Sequence, residues 1–225
     1  MHATIPAPTT VITSVLLSWA AGVIVLGAAS RFFGEIQPGH FKVIWLVAAG
    51  LSFAAGFGYR PAWALAAGSV ITFATIYRSG DQWAGAITAV IAIVVLLAGA
   101  DLDATIVAAA ALLGAVTNAM LLGHWHLNQP RLGTRPILRV VYALWIAVAL
   151  YAAATVVLGL HSSGPGALGA WTAVVFTAFA ATLTAPVHHL VRTRSIMSAT
   201  GILYLEILLC VVAAFTGTLG ALARS

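Results

Sequence analysis

Glu206 occupies the position that most needs a chemical explanation. It stands in the run Ile202-Leu203-Tyr204-Leu205-Glu206-Ile207-Leu208-Leu209, about ten residues into the last apolar stretch. In a membrane helix rising about 1.5 Å per residue, its carboxyl lies roughly 15 Å deep. An acid at that depth costs about 2.5–3.5 kcal/mol on insertion scales, so it must be protonated, paired or turned to a wet cavity. Cys210, Ala213 and Gly217 follow at the spacing of one helix face. A face of such small residues packs on other helices rather than on lipid. Two chemistries fit: a site that handles a proton, or a protonated carboxyl fixed in an interhelical hydrogen bond. No Lys or Arg lies at comparable depth in any apolar stretch. A neutral Glu206 that donates a hydrogen bond is therefore expected, with Asn118 and Thr184 as candidate acceptors.

Two histidine pairs supply the other candidates. Gly123-His124-Trp125-His126-Leu127-Asn128-Gln129-Pro130 closes the fifth apolar stretch, and Pro186-Val187-His188-His189 closes the seventh. On a helix the rings of His124 and His126 point about 200° apart and those of His188 and His189 about 100° apart, so one ring of each pair is favoured for the interior. Thr117 and Met120 share the face of His124, while Thr177, Ala181 and Thr184 form a stripe that His188 continues. If the fifth and seventh helices are neighbours, His124 and His188 meet at similar depth. That geometry suits bis-imidazole ligation of a haem b, with both residues as iron ligands. It equally suits a quinone headgroup site, or a metal site completed by Glu or water. The alternative is a set of interfacial histidines bonded to backbone and lipid phosphate. His2, His40 and His161 fall in a terminus or in loops, where no chemistry is expected of them. Cys210, the single cysteine, allows no intrachain disulfide and reads as a small core residue.

The elements that position these residues follow from composition. Hydrophobic residues make up 62% of the 225, and charged residues only 7%. A soluble domain carries roughly 25% charged residues, so lipid is the solvent that fits this surface. The mean hydropathy of +1.05 agrees. The net charge of +5 comes from bases scattered singly between apolar runs, which excludes a nucleic-acid interface. Apolar length predicts an all-α polytopic helix bundle of about eight transmembrane helices in a single domain over 1–225. The spans are roughly 9–30, 42–59, 61–78, 83–100, 104–126, 137–160, 168–190 and 197–220. Clusters of Gly, Pro, Asn, Asp and Ser break them. The opening MHATIPAPTT has no Lys or Arg, so the first stretch is expected to be retained as a span rather than cleaved as a signal.

Loops after the odd-numbered spans collect Arg31, Lys42, Arg78, Arg131, Arg135, Arg139, Arg192 and Arg194, against Arg60 and Arg224 on the other side. The basic side is cytoplasmic by the positive-inside rule, which puts both termini, Asp101 and Asp103 outside. Trp45, Trp63, Trp83, Trp125, Trp145 and Trp171 lie towards span ends, as interfacial anchors do. Spans 1–4 and 5–8 would be parallel repeats, yet no residue match between the halves is visible. Gly114, Gly123, Gly201 and Gly217 are expected to permit close helix packing.

No Ser-His-Asp set, phosphate-binding glycine loop, HExxH or paired carboxylates occur, so a stand-alone enzyme is not expected. The residues point to an integral subunit of a respiratory-type electron-transfer assembly in a bacterial-type inner membrane. It would bind haem b or quinone near the cytoplasmic side through His124, His188, His126, His189 and Asn118, with other membrane subunits as partners. A proton-coupled or metal-ion transporter, or a cofactor-free accessory subunit, fits the same residues.

Overall fold

The structure, a computed structural model, describes residues 6–32, 35–79, 83–99, 103–126, 128–129 and 131–224, the side chains of 77–79 and 224 excepted. His2, Asp101, Leu127, Pro130, residues 80–82 and the side chains of Arg78 and Arg224 therefore lie outside the described residues. Among those described, every regular element is an α-helix. The helices are α1 (Pro8–Arg31), α2 (Pro38–Gly56), α3 (Ala62–Ser79), α4 (Trp83–Gly99), α5 (Ala104–Trp125), α6 (Arg135–Leu160), α7 (Gly164–Arg192) and α8 (Ile196–Arg224). Six of them, α1, α2, α5, α6, α7 and α8, are long and apolar enough to cross a bilayer, and α3 and α4 are shorter apolar helices. The chain is a polytopic helical membrane protein.

Local signals explain where the helices differ from the expected spans. Pro8, Pro38, Pro136 and Pro165 stand in the first turn of α1, α2, α6 and α7. There proline's missing N–H costs nothing and its fixed φ suits a helix. This starts α2 four residues before the expected 42 and α7 four before 168. Asp103 caps α5, its carboxylate accepting from the amides of Thr105 at 2.8 Å and Ile106 at 3.3 Å. α7 continues through Pro186 to Arg192. It then turns into α8 through Arg194 at φ +63°, with the Ser195 amide donating to the Leu190 carbonyl at 2.8 Å.

The packing has a repeated pattern. α1, α2, α3 and α4 form a ring in which each packs on the next and α4 returns to α1; α5, α6, α7 and α8 form the same ring. The two four-helix units join chiefly through α1 against α5. At that crossing a Cβ on Gly22 would lie 1.8 Å from the Ala110 carbonyl oxygen, and one on Gly114 only 2.4 Å from the Gly22 backbone. The two helices touch backbone to backbone, and only glycine permits it. Gly123 abuts the side chain of Thr200 and Gly217 that of Tyr151, but Gly201 faces open space and contributes no packing. Trp45 is a second correction: it is fully buried against Gly85 of α4, whereas Trp63, Trp83 and Trp171 are exposed.

Candidate functional site

Glu206 is completely buried, with 0% of its surface exposed. It reaches that position because α8 turns Leu203, Glu206, Cys210, Ala213 and Ala214 inward while Tyr204, Leu205 and Leu208 face out. Thr184 of α7 meets it: Thr184 Oγ1 lies 2.5 Å from Glu206 Oε1 and 3.1 Å from the carbonyl oxygen of Ala180. Glu206 Oε2 is buried without a hydrogen-bond partner among the described residues. One turn further along α8, Cys210 is buried and unpaired. Beyond it the Tyr151 hydroxyl of α6 donates to the Ala213 carbonyl at 2.7 Å. A Cβ on Gly217 would fall 2.1 Å from that hydroxyl, so glycine there is what admits the ring.

Thr177 and Thr184 are buried, and His188 is half-buried while His189 is exposed. The His188 ring packs edge-on against Tyr142 of α6, with centroids 5.1 Å apart, and its Nε2 is buried without a partner. On its outer side the ring borders a groove formed with Ala185, His189, Arg192 and Thr193 at the end of α7.

The other expected site residues are placed elsewhere. His124 is exposed at the end of α5. It is His126, in the cap of that helix, that turns inward: its Nε2 lies 3.0 Å from the Leu132 carbonyl oxygen, which can only accept, so Nε2 carries the proton. α5 and α7 stand at opposite corners of their four-helix unit, separated by α6 and α8. The structure therefore does not bring His124 and His188 together. Asn118 is buried, but its amide donates to the Gly114 carbonyl at 2.9 Å and its Oδ1 lies beside Gly27 of α1. α5 does pack on α8, as the expected contact requires, yet Asn118 faces α1 and does not meet Glu206.

Comparison with known proteins adds no relative. No family model matches the chain, and searches of the curated proteins and of the solved structures find no match either. The site stands on its own geometry.

Sequence reasoning missed one feature at the same end of the bundle as the His188 groove. His40 was expected in a loop, but Pro38 begins α2 early and His40 is 1% exposed, packed against Phe41 and near Trp125. Gln129 stitches the neighbouring loops together: its Oε1 accepts from the Trp125 indole and the Gln37 amide, and its Nε2 donates to the Glu35 carbonyl. The Pro at position 38 was the available signal. Among the described residues no three His, Cys, Asp or Glu side chains converge. An apolar fissure of about 330 Å³ between α1, α4, α5 and α6 is lined by residues such as Val25, Leu96, Val107 and Ala147, none of them titratable.

Proposed function

We propose that the chain is a proton-coupled membrane transporter in which Glu206 is the proton carrier. The observation behind this reading is the full burial of Glu206 at mid-depth in a helix pair, one oxygen against Thr184 and the other unpartnered. Thr184 has a single hydroxyl proton and two acceptors within reach. A protonated Glu206 resolves the conflict: the carboxyl O–H donates to Thr184 Oγ1, and Thr184 donates back to the Ala180 carbonyl. Loss of the proton leaves a buried carboxylate with at most one donor, a state costly enough to drive rearrangement of α7 against α8. We further propose eight membrane crossings with the basic end cytoplasmic and both termini outside, in a bacterial-type inner membrane. The eight-to-two division of Lys and Arg supports this orientation.

The test uses the purified protein in liposomes that enclose a pH-sensitive dye. An inside-negative potassium diffusion potential should drive proton uptake faster than in protein-free vesicles, and E206Q should abolish the excess. Equal uptake by E206Q and wild type would overturn the reading.

The groove beside His188 favours a second reading, a subunit of an electron-transfer assembly. A quinone headgroup needs only one imidazole, and His188 Nε2 has no protein partner. A haem b held by His124 and His188 would need both rings to converge, and the separation of α5 from α7 does not support that version. Extractable quinone, or a Soret band, in the purified protein would favour this reading. A cofactor-free accessory subunit would co-purify with a larger complex and keep its role there when the histidines are replaced.

A further inference from the structure

The environment of Glu206 differs sharply along the membrane normal. Towards the ends of α7 and α8 that adjoin residues 163 and 224, the way is closed by several layers. Cys210 is buried, the Tyr151 hydroxyl is locked on the Ala213 carbonyl, and α7 lies against α8 with almost no side chain between them. A Cβ on Gly169 would sit 2.7 Å from the Thr216 carbonyl oxygen, and one on Gly220 2.8 Å from that of Gly166. Backbone in contact with backbone leaves no room for a file of waters.

That side holds buried hydroxyls, Thr155, Thr177 and Thr218, whereas the basic end offers a half-buried imidazole. Thr184 holds Glu206, and His188 follows Thr184 by four residues, one turn or about 6 Å along the same face of α7. Glu206 Oε2 and His188 Nε2 are both buried without partners, and the His188 ring borders the groove shared with His189 and Arg192. Other titratable groups on the neighbouring helices are few. α6 presents Tyr142 against His188, carries exposed Arg139 nearer the basic end, and places Tyr151 beyond Cys210; α5 and α1 place no titratable side chain at the depth of Glu206.

We infer that His188 is the proton relay that connects Glu206 to the basic end of the bundle, and that in this conformation Glu206 exchanges its proton from that end alone. The inference rests on the reading of Glu206 as a proton carrier. In the inward step, one ring nitrogen of neutral His188 takes a proton from hydronium in the groove and releases water. The two groups share no direct hydrogen bond, so the imidazolium gives the proton on Nε2 to an intervening water, which passes one of its own to the Glu206 carboxylate, forming the carboxyl and restoring neutral imidazole. Reversal of these transfers releases the proton. An imidazole suits this role because either ring nitrogen can take up or give up a proton. His188 is here a positioning and relay residue, not a ligand.

The experiment follows the carboxyl C=O band of Glu206 in the full-length protein in lipid, assigned by its loss in E206Q, after transfer to deuterated buffer. H188Q should slow the deuterium shift of that band by about a hundredfold or more, the range that a positioned acid–base group contributes. H189Q should exchange like wild type, and free imidazole should restore the rate in H188A, since the groove is open to the medium. H188N serves if H188Q fails to fold. Unchanged exchange in H188Q, equal slowing by H189Q, or slowing that imidazole does not relieve would overturn the relay. Any of these, with the band present, removes the relay and leaves Glu206 as a proton site. If no band is lost in E206Q, both the relay and the proton site fall.

Discussion

Thr184 and Glu206, 22 positions apart in sequence, are joined side chain to side chain at 2.5 Å across the α7–α8 contact, with no surface of either exposed. The contact fixes which face of each helix is internal, and it is the only point where a carboxyl enters the described core.

Replacement of Glu206 should separate shape from charge. E206Q keeps the volume and an amide able to donate to Thr184, so folding should be nearly intact while proton-linked activity is lost. E206A leaves a cavity and strands Thr184, at a cost of about 2–4 kcal/mol. Thermal unfolding in detergent should rank wild type and E206Q together, well above E206A. Infrared spectra of the wild type should show a protonated carboxyl band that E206Q lacks.

His188 and His189 should behave differently despite adjacency. His188→Ala removes packing against Tyr142, whereas His189→Ala removes an exposed ring. The first should cost about 1 kcal/mol or more and the second close to nothing. Unfolding of matched membrane preparations checks this; the reverse ranking would mean that the last turn of α7 presents the opposite face.

The glycines give a graded series. Gly22→Ala and Gly114→Ala force a methyl into backbone and should cause large losses of folded protein. Gly217→Ala displaces the Tyr151 hydroxyl and should be intermediate. Gly201→Ala meets nothing and should be neutral. Yield of monodisperse protein after purification measures the series.

Sidedness is checked by single cysteines in a Cys210→Ala background. Arg135→Cys should label only from the cytoplasm and Ser163→Cys only from outside, because α6 separates them. Labelling of both from one side would remove the eight-crossing topology.

What could be read from the residues depended on how local the signal was. Helix number and type came from apolar length alone, and the inward face of α8 from the spacing of Glu206, Cys210, Ala213 and Gly217. The partner Thr184 was legible because depth can be counted along each helix. The failures all concern neighbours. Met120 and Thr117 sit on the His124 face, but the helix ends within two residues and His124 is left exposed. Asn118 has the right depth for Glu206 but points towards α1, an azimuth that depth does not determine. Gly201 has the same residue type as Gly114 but no helix opposite it. The repeat of two four-helix rings left no trace in residue identity, because small and apolar residues satisfy each ring interchangeably.

That repeat has one further consequence. In the first ring, the α3–α4 contact is also made by two polar side chains, Thr72 Oγ1 and Thr88 Oγ1, 2.7 Å apart. Thr88 thus makes the polar contact of α4 with α3 as Glu206 makes that of α8 with α7. Two hydroxyls satisfy each other at any physiological pH, so the α3–α4 pair is a rivet. If Glu206 carries a proton as proposed, the α7–α8 pair becomes a latch, whose hold depends on the presence of that proton. On that proposal the same four-helix plan is used twice in one molecule, once as an anchor and once as the part free to let go.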